Sequence, residues 1–215
     1  QQLMDFAADK GLLVWVNCQT RAFPIYQKIK AALDPGEPLL YHVMGGNHGL
    51  ATNGVHAADL FLFLDGGGMI SENSARIDPV LHSSKRGQEM YELSGTVTGI
   101  SDKGSDMVLS FAADHMCPHL TIVTTPRARY VVDHMKRWAW GSGSDNNWDW
   151  QTELVDENLF VSYMTRVLAA DILDSGTCAL PTLQECFPSH RFILQALQPH
   201  FNALLSADSD RCPVT

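Results

Sequence analysis

From residue 69 to about residue 140 the chain carries five short β-prone segments, at 69–77, 92–100, 107–112, 120–124 and 128–134. Turn residues separate them, and no helical pattern intervenes. Parallel strands need a long crossover, usually a helix, whereas antiparallel strands join through short turns. Strand after strand without a helix therefore predicts an antiparallel sheet. Ser101-Asp102-Lys103-Gly104 supplies a hairpin-type turn between two of the strands.

Helical periodicity lies on either side of this block. Residues 22–33 place Phe23, Tyr26, Ile29, Ala32 and Leu33 on one face, with Pro24 in the first turn and Pro35-Gly36 closing it. A second helix is predicted over 53–64, ended by Gly66-Gly67-Gly68 as a C-cap, and a third over 158–173. Thr182-x-x-Glu185 reads as a capping box opening a last helix to about residue 205. Pro188 and Pro199 argue against its being unbroken. Residues 12–16 read as a buried strand and 38–44 as another, with Gly45-Gly46-Asn47-His48-Gly49 as a permissive loop and 138–150 as a second loop. The fold class is α+β, with a helix–strand–helix entry, a meander sheet and packing helices.

Composition limits the functions open to such a chain. An apolar share of 45% with 18% charged residues supports a sizeable core. The longest apolar stretches, at 12–16, 60–64 and 167–170, are far shorter than a bilayer span. With 15 Lys and Arg against 24 Asp and Glu the net charge is -9, which argues against nucleic acid or an anionic membrane as partner. A phosphorylated ligand must then be met by a few local cations or backbone N–H groups. Five scattered cysteines without a C-x-x-C pair indicate neither a disulfide framework nor a thiolate zinc site, and make a reducing cytoplasm the expectation. The chain opens on Gln1 within a helical pattern, as a fragment or a trimmed polypeptide does.

Chemistry-bearing residues are densest between His42 and Asp59. On a helix, Thr52, His56 and Asp59 share one face, and an imidazole there can exchange a proton with a substrate hydroxyl. The plain alternative is a surface histidine paired with Asp59. His42, His48, His56 and Asp59 also invite a metal reading, but they straddle different elements and lack any compact ligand spacing. In His115-x-x-x-His119, Pro118 breaks the helical face. Trp138, Trp140, Trp148 and Trp150 suit sugar or base stacking, or the closing of a core edge. Gly141-x-Gly143-x-x-Asn146 is only half a dinucleotide fingerprint and has no strand–helix context. Neither a G-x-S-x-G elbow nor a P-loop occurs.

Three segments resemble one family. Leu12-Leu13-Val14-Trp15-Val16-Asn17 followed by Arg21-Ala22-Phe23-Pro24-x-Tyr26 is similar to the exit from the nucleotide-binding domain of Gfo/Idh/MocA oxidoreductases, named for glucose–fructose oxidoreductase and inositol dehydrogenase. Asn53-Gly54-Val55-His56-Ala57-Ala58-Asp59-Leu60 resembles that family's G-x-H-x-x-D-L helix, and Leu180-Pro181-Thr182-Leu183-Gln184-Glu185 its usual ending. The resemblance implies that residues 1–17 are the last helix and strand of a nucleotide-binding domain. Residues 18–215 would be the α+β second domain, an open, predominantly antiparallel sheet with helices on one face. That domain lines the substrate site and forms oligomer contacts. The family's Gly-rich loop and Glu-Lys-Pro motif are absent here.

The implied activity is NAD- or NADP-dependent oxidation and reduction of a sugar, sugar derivative or polyol. His56 would be the acid/base, with Asn47, His48, Thr52, Asn53 and Arg21 as substrate contacts, Arg21 meeting a carboxylate or phosphate. The family pattern before this histidine is Asp-x-x-x-His, and here Thr52 stands in the Asp position. Thr can hydrogen-bond but brings no negative charge. A non-catalytic assembly module with the same fold, and a metal-dependent hydrolase built on the histidines, are the rival readings. No cofactor is expected on this chain alone. Apolar residues on both alternations at 107–111, 120–123 and 130–132 predict self-association through the uncovered sheet face, as a dimer.

Overall fold

The computed structural model describes residues 2–46, 49–84, 86–155 and 161–214. Helix α1 (Gln2–Asp9) and a 3-10 turn at Gln19–Ala22 lead into α2 (Pro24–Ala32), then strand β1 (Leu40–Gly46) and helix α3 (Leu50–Asp65). Seven strands follow: β2 (Ile70–Ser83), β3 (Tyr91–Ser101), β4 (Asp106–Ala112), β5 (Leu120–Thr124), β6 (Ala128–Asp133), β7 (Trp138–Gly143) and β8 (Gln151–Leu154). Helices α4 (Val161–Ser175) and α5 (Leu183–Leu205) come last. Among the described residues no helix is long and apolar enough to cross a membrane.

All eight strands form one open sheet in the order β2-β3-β4-β1-β5-β6-β7-β8. Every pairing is antiparallel except that of β1 with β4. The expected α+β class holds, but β1 is inserted into the middle of the meander. It can run parallel to β4 because α3, β2 and β3 form the long connection that a parallel pair requires.

The pleat sorts the sheet into two faces. Tyr41 lies opposite Met107 and Val123, and Val43 opposite Leu109 and Thr121. These residues are buried; on this face α3 packs against β3 and β4, and α5 against β2 and α3. Each large apolar side chain so buried contributes on the order of 1.5–3 kcal/mol. Leu40, His42 and Met44 point to the other face, where Leu40 and Met44 are 48% and 45% exposed. A row of cross-strand partners, Val108, His42, Ile122, Val131 and Trp140, crosses this uncovered face. Helix α3 is apolar nearly all round because it sits between sheet and α5. Gly54 permits that fit: a Cβ there would stand 3.0 Å from Ile193.

Several local expectations change. Residues 12–16 make one bridge, Trp15 to Thr182, and Leu12 and Leu13 are more than half exposed. They run beside the segment before α5, with the Val16 N–H donating to the Pro181 carbonyl at 2.9 Å. Gly45 and Gly46 belong to β1, and α3 starts at Leu50. The predicted loop at 138–150 contains β7 and is followed by β8; its Gly and Ser content hid the period-two pattern, and Tyr130 lies opposite Gly141. Of the third predicted helix, residues 158–160 lie outside the described residues, and α4 begins at Val161. The capping box forms as expected, Thr182 Oγ1 accepting from the Glu185 N–H while Glu185 Oε2 accepts from the Thr182 N–H at 2.7 Å. Helix α5 nevertheless continues through Pro188 and Pro199. Gly66 caps α3 in the left-handed region at φ 101°, as predicted.

Helix α2 is pinned to the sheet by Tyr26, whose buried hydroxyl meets His134 Nε2 just beyond β6. Burial, with a smaller push from His119, pulls the His134 imidazole down to about 4 from 6.5. The unfolded chain therefore takes up this proton first as pH falls. The neutral ring's contribution is complete above the unfolded value of 6.5 and is lost as pH falls through about 4. Its size is no more than about 3 kcal/mol. Urea unfolding at about pH 7 and about pH 4.5 should show a smaller acid loss in His134→Gln than in the wild type; equal losses would contradict this account.

Candidate functional site

Helix α3 carries the predicted chemistry, and a buried ion pair fixes its position. Arg21, in the 3-10 turn, donates through Nε to Asp59 Oδ2 at 2.9 Å and through Nη2 to Oδ1 at 2.7 Å. Its guanidinium lies 5.3 Å from the Phe63 ring centre. Burial pushes the Asp59 carboxyl upward, and the guanidinium acts against that push. The acid three residues after His56 thus pairs with Arg21 and not with the imidazole. Arg21 itself faces protein and is absent from the cavity wall described next.

A cavity of about 550 Å³ opens between the entry segment, α3 and the inner face of the sheet. Asn17, Cys18, Gln19 and Thr20 form one wall, and Thr52, Asn53 and His56 of α3 form another. Tyr41, Phe111 and Thr121 come from the sheet, Arg86 from the β2–β3 connection, and His119, His134 and His190 complete the lining. The His56 ring bonds to no side chain or backbone group among the described residues. Burial, then His190 and Arg86, lower its pKa. It therefore presents a neutral ring at neutral pH, with one N–H donor and one lone pair. Two buried polar atoms of lining residues, Gln19 Oε1 and the Tyr41 hydroxyl, lack a hydrogen-bond partner among the described residues. Such atoms are rare, and a bound ligand or water is a usual explanation.

One residue of this arrangement was not found by sequence reasoning. Glu92 of β3, buried, accepts from the N–H groups of Ala51 and Thr52 at 3.0 and 3.3 Å and from the Thr52 hydroxyl. It caps α3 from another element, because the N-cap residue Gly49 has no side chain to do so. Gly49 is needed there: a Cβ would fall 2.4 Å from Glu92 Oε2 and 2.6 Å from the Leu93 carbonyl oxygen. A carboxylate thus touches Thr52, the residue standing where the resembling family has Asp. Since the Thr52 proton goes to Glu92, its oxygen is left as an acceptor. The signal available in the sequence was a lone acid opening an otherwise apolar and small-residue strand.

The remaining predicted residues separate. The Asn53 amide donates to the Gly49 carbonyl at 3.3 Å and lines the cavity. Asn47 and His48 lie outside the described residues. His42 is exposed on the outer sheet face, whereas His56 and Asp59 are on α3, so these three do not converge. Among the described residues no group of three or more His, Cys, Asp or Glu is placed to hold a metal ion. His115 is an exposed neighbour of Asp114, and His119 lines the cavity. The tryptophans are also elsewhere: Trp138 and Trp140 stack at 6.4 Å on the outer face, and Arg129 lies over Trp148 and Trp150.

No family model and no curated protein matches this sequence. Solved structures match in shape. A dehydrogenase (MviM) from Clostridium difficile superposes with a TM-score of 0.65 over 92% of this chain and 66% of its own, at 10% identity. UDP-N-acetylglucosamine 3-dehydrogenase GnnA from Acidithiobacillus ferrooxidans gives 0.65 over 92% of this chain and 63% of its own, at 13% identity. An oxidoreductase from Agrobacterium radiobacter, solved with NAD+, L-tartaric acid and magnesium, gives 0.67 over 94% and 67%, at 11% identity. This chain therefore spans about two thirds of the length of these proteins. At such identities the likeness establishes a shared fold.

Proposed function

We propose that this chain is the substrate-binding and oligomerisation part of an NAD(P)-dependent oxidoreductase acting on a sugar, sugar derivative or polyol. The observation that carries the reading is the unbonded His56 imidazole on the wall of a cavity rich in hydrogen-bonding groups. The fold shared with two dehydrogenases and with an oxidoreductase solved with NAD+ supports the reaction class. So does the sequence resemblance to Gfo/Idh/MocA enzymes. In this reading residues 1–17 close a nucleotide-binding domain and 18–215 form the substrate domain.

The described residues do not fit a dinucleotide. A pyrophosphate needs a Gly-rich turn between a strand and the N-terminus of a helix. Here Gly66-Gly67-Gly68 follows a helix, and the glycines at 45 and 46 lie inside β1. The work of this chain is therefore to bind and orient substrate and to move a proton. The His56 lone pair would take the proton of a substrate hydroxyl while a nicotinamide held outside this chain accepted the hydride from the same carbon, and would return the proton on reduction. Thr52, its own proton held by Glu92, accepts from a neighbouring hydroxyl, and Asn53 lies beside it. Asn47 and His48 are proposed contacts in the same stretch. Arg21 acts through Asp59, by holding the helix that carries His56.

The full-length polypeptide, assayed with sugars and polyols by nicotinamide absorbance, should lose roughly 10²- to 10⁴-fold in turnover in His56→Ala. The chain of residues 1–215 alone should show no NAD or NADP binding by calorimetry. Undiminished turnover in His56→Ala, or stoichiometric micromolar NAD binding to this chain, would contradict the proposal.

The outer sheet face is the proposed oligomer surface. Val108 and, beyond His42, Ile122, Val131 and Trp140 form a largely apolar row there, with Leu40 and Met44 exposed beside it. Monomers rarely leave so largely apolar a face in water, and a two-fold face-to-face contact covers it symmetrically. Light scattering at tens of micromolar should find a dimer, and Val131→Asp should convert it to monomer. A monomeric wild type would contradict this assignment.

A further inference from the structure

We infer that the ligand of the His56 cavity carries an anionic group, a carboxylate or a phosphate on a sugar-sized ring, and that Arg86 receives it. The inference rests on the sugar-site reading above and adds the charge of the substrate.

Acids outnumber bases 24 to 15 in this chain, yet among the described residues no Asp or Glu lines the cavity. Its Arg and His lining is Arg86 with His56, His119, His134 and His190. Carboxylates are the acceptor-only groups that would bind pairs of neutral sugar hydroxyls, and the described lining offers none. Two acids on the nearby elements are already engaged, Asp59 by Arg21 and Glu92 by the first turn of α3.

Arg86 is exposed on the β2–β3 connection, and its guanidinium meets no carboxylate, hydrogen-bond acceptor or aromatic ring among the described residues. Arg21, Arg127 and Arg129, by contrast, are held by Asp59, by Glu37 and Asp34, and by Trp148 and Trp150. A guanidinium presents a planar fork matched to two oxygens of a carboxylate or phosphate. At the rim of a cavity whose described lining carries no negative charge, such a fork draws in an anion and fixes its orientation. The rest of the ring then reaches the Thr52 oxygen and His56, which line the same cavity. Arg86 and His56 are close enough for the charge of one to bear on the other.

The test follows the His56 ring Cε1–H resonance by NMR at low ionic strength. Hexoses, the matching hexuronates and hexose 6-phosphates are titrated into the chain. Acidic sugars should bind about tenfold or more tightly than their neutral parents. Arg86→Gln should abolish that preference, and Arg86→Lys should retain part of it. Comparison of uronates with phosphates identifies the anion. Neutral hexoses binding as tightly as the acids, or a preference that survives Arg86→Gln, would overturn the inference and leave the sugar-site reading standing. If no sugar of either charge moves the His56 resonance, both readings fall.

Discussion

The contact on which the site depends is the two-pronged ion pair between Arg21 and Asp59, 38 residues apart and almost wholly shielded from water. Burying either charge alone is costly, on the order of 3–5 kcal/mol when one partner is removed. Satisfied together, they allow few positions for the entry turn against α3. That turn carries Asn17 to Thr20, one wall of the cavity, and α3 carries the opposite wall. Around the pair the neighbouring thiols are buried. Burial pushes the Cys18 thiol far up and the Cys186 thiol to about 11, so both are protonated, unreactive and part of the core.

From that fixed point the chemistry follows. Asp59 turns inward to Arg21, which leaves His56 without an acid of its own helix and with a neutral ring toward the cavity. Glu92 reaches α3 from the sheet and sets the direction of the Thr52 hydroxyl. It can do so because Gly49 leaves room for it. Asp59 and Glu92 are thus bound to protein donors, and among the described residues of the cavity lining the open guanidinium is that of Arg86. A proton acceptor, an oriented oxygen and a guanidinium share one cavity, an arrangement suited to a hydroxylated, acidic ligand.

The class of the fold was readable because its signals are local. Turn residues between short strands, the absence of helices from 69 to 134, the Thr182 capping box and the Gly66 cap each depend on a few neighbouring residues. The place of β1 was not readable, since its register against β4 and β5 is set by packing across the sheet. For the same reason Asp59 could be put on the face of His56 while its partner stayed hidden. Glu92 escaped because an acid at a strand start has many plain explanations until α3 is seen to begin against it. The apolar run at 12–16 misled in the other direction: it has the composition of a buried strand and makes one bridge. The double alternation at 107–111, 120–123 and 130–132 does place Val108, Ile122 and Val131 together on the uncovered face.

The most direct measurement of the central claim is a double-mutant cycle on the ion pair, with Arg21→Met, Asp59→Leu and the double variant compared by urea unfolding at neutral pH. Each single variant leaves one buried charge without its partner, and each should lose on the order of 3–5 kcal/mol. The double variant, an apolar pair of similar volume, should recover most of that loss, giving a coupling of about 3 kcal/mol or more. Single variants that lose little, with a coupling near zero, would show that the entry turn and α3 are held by other contacts.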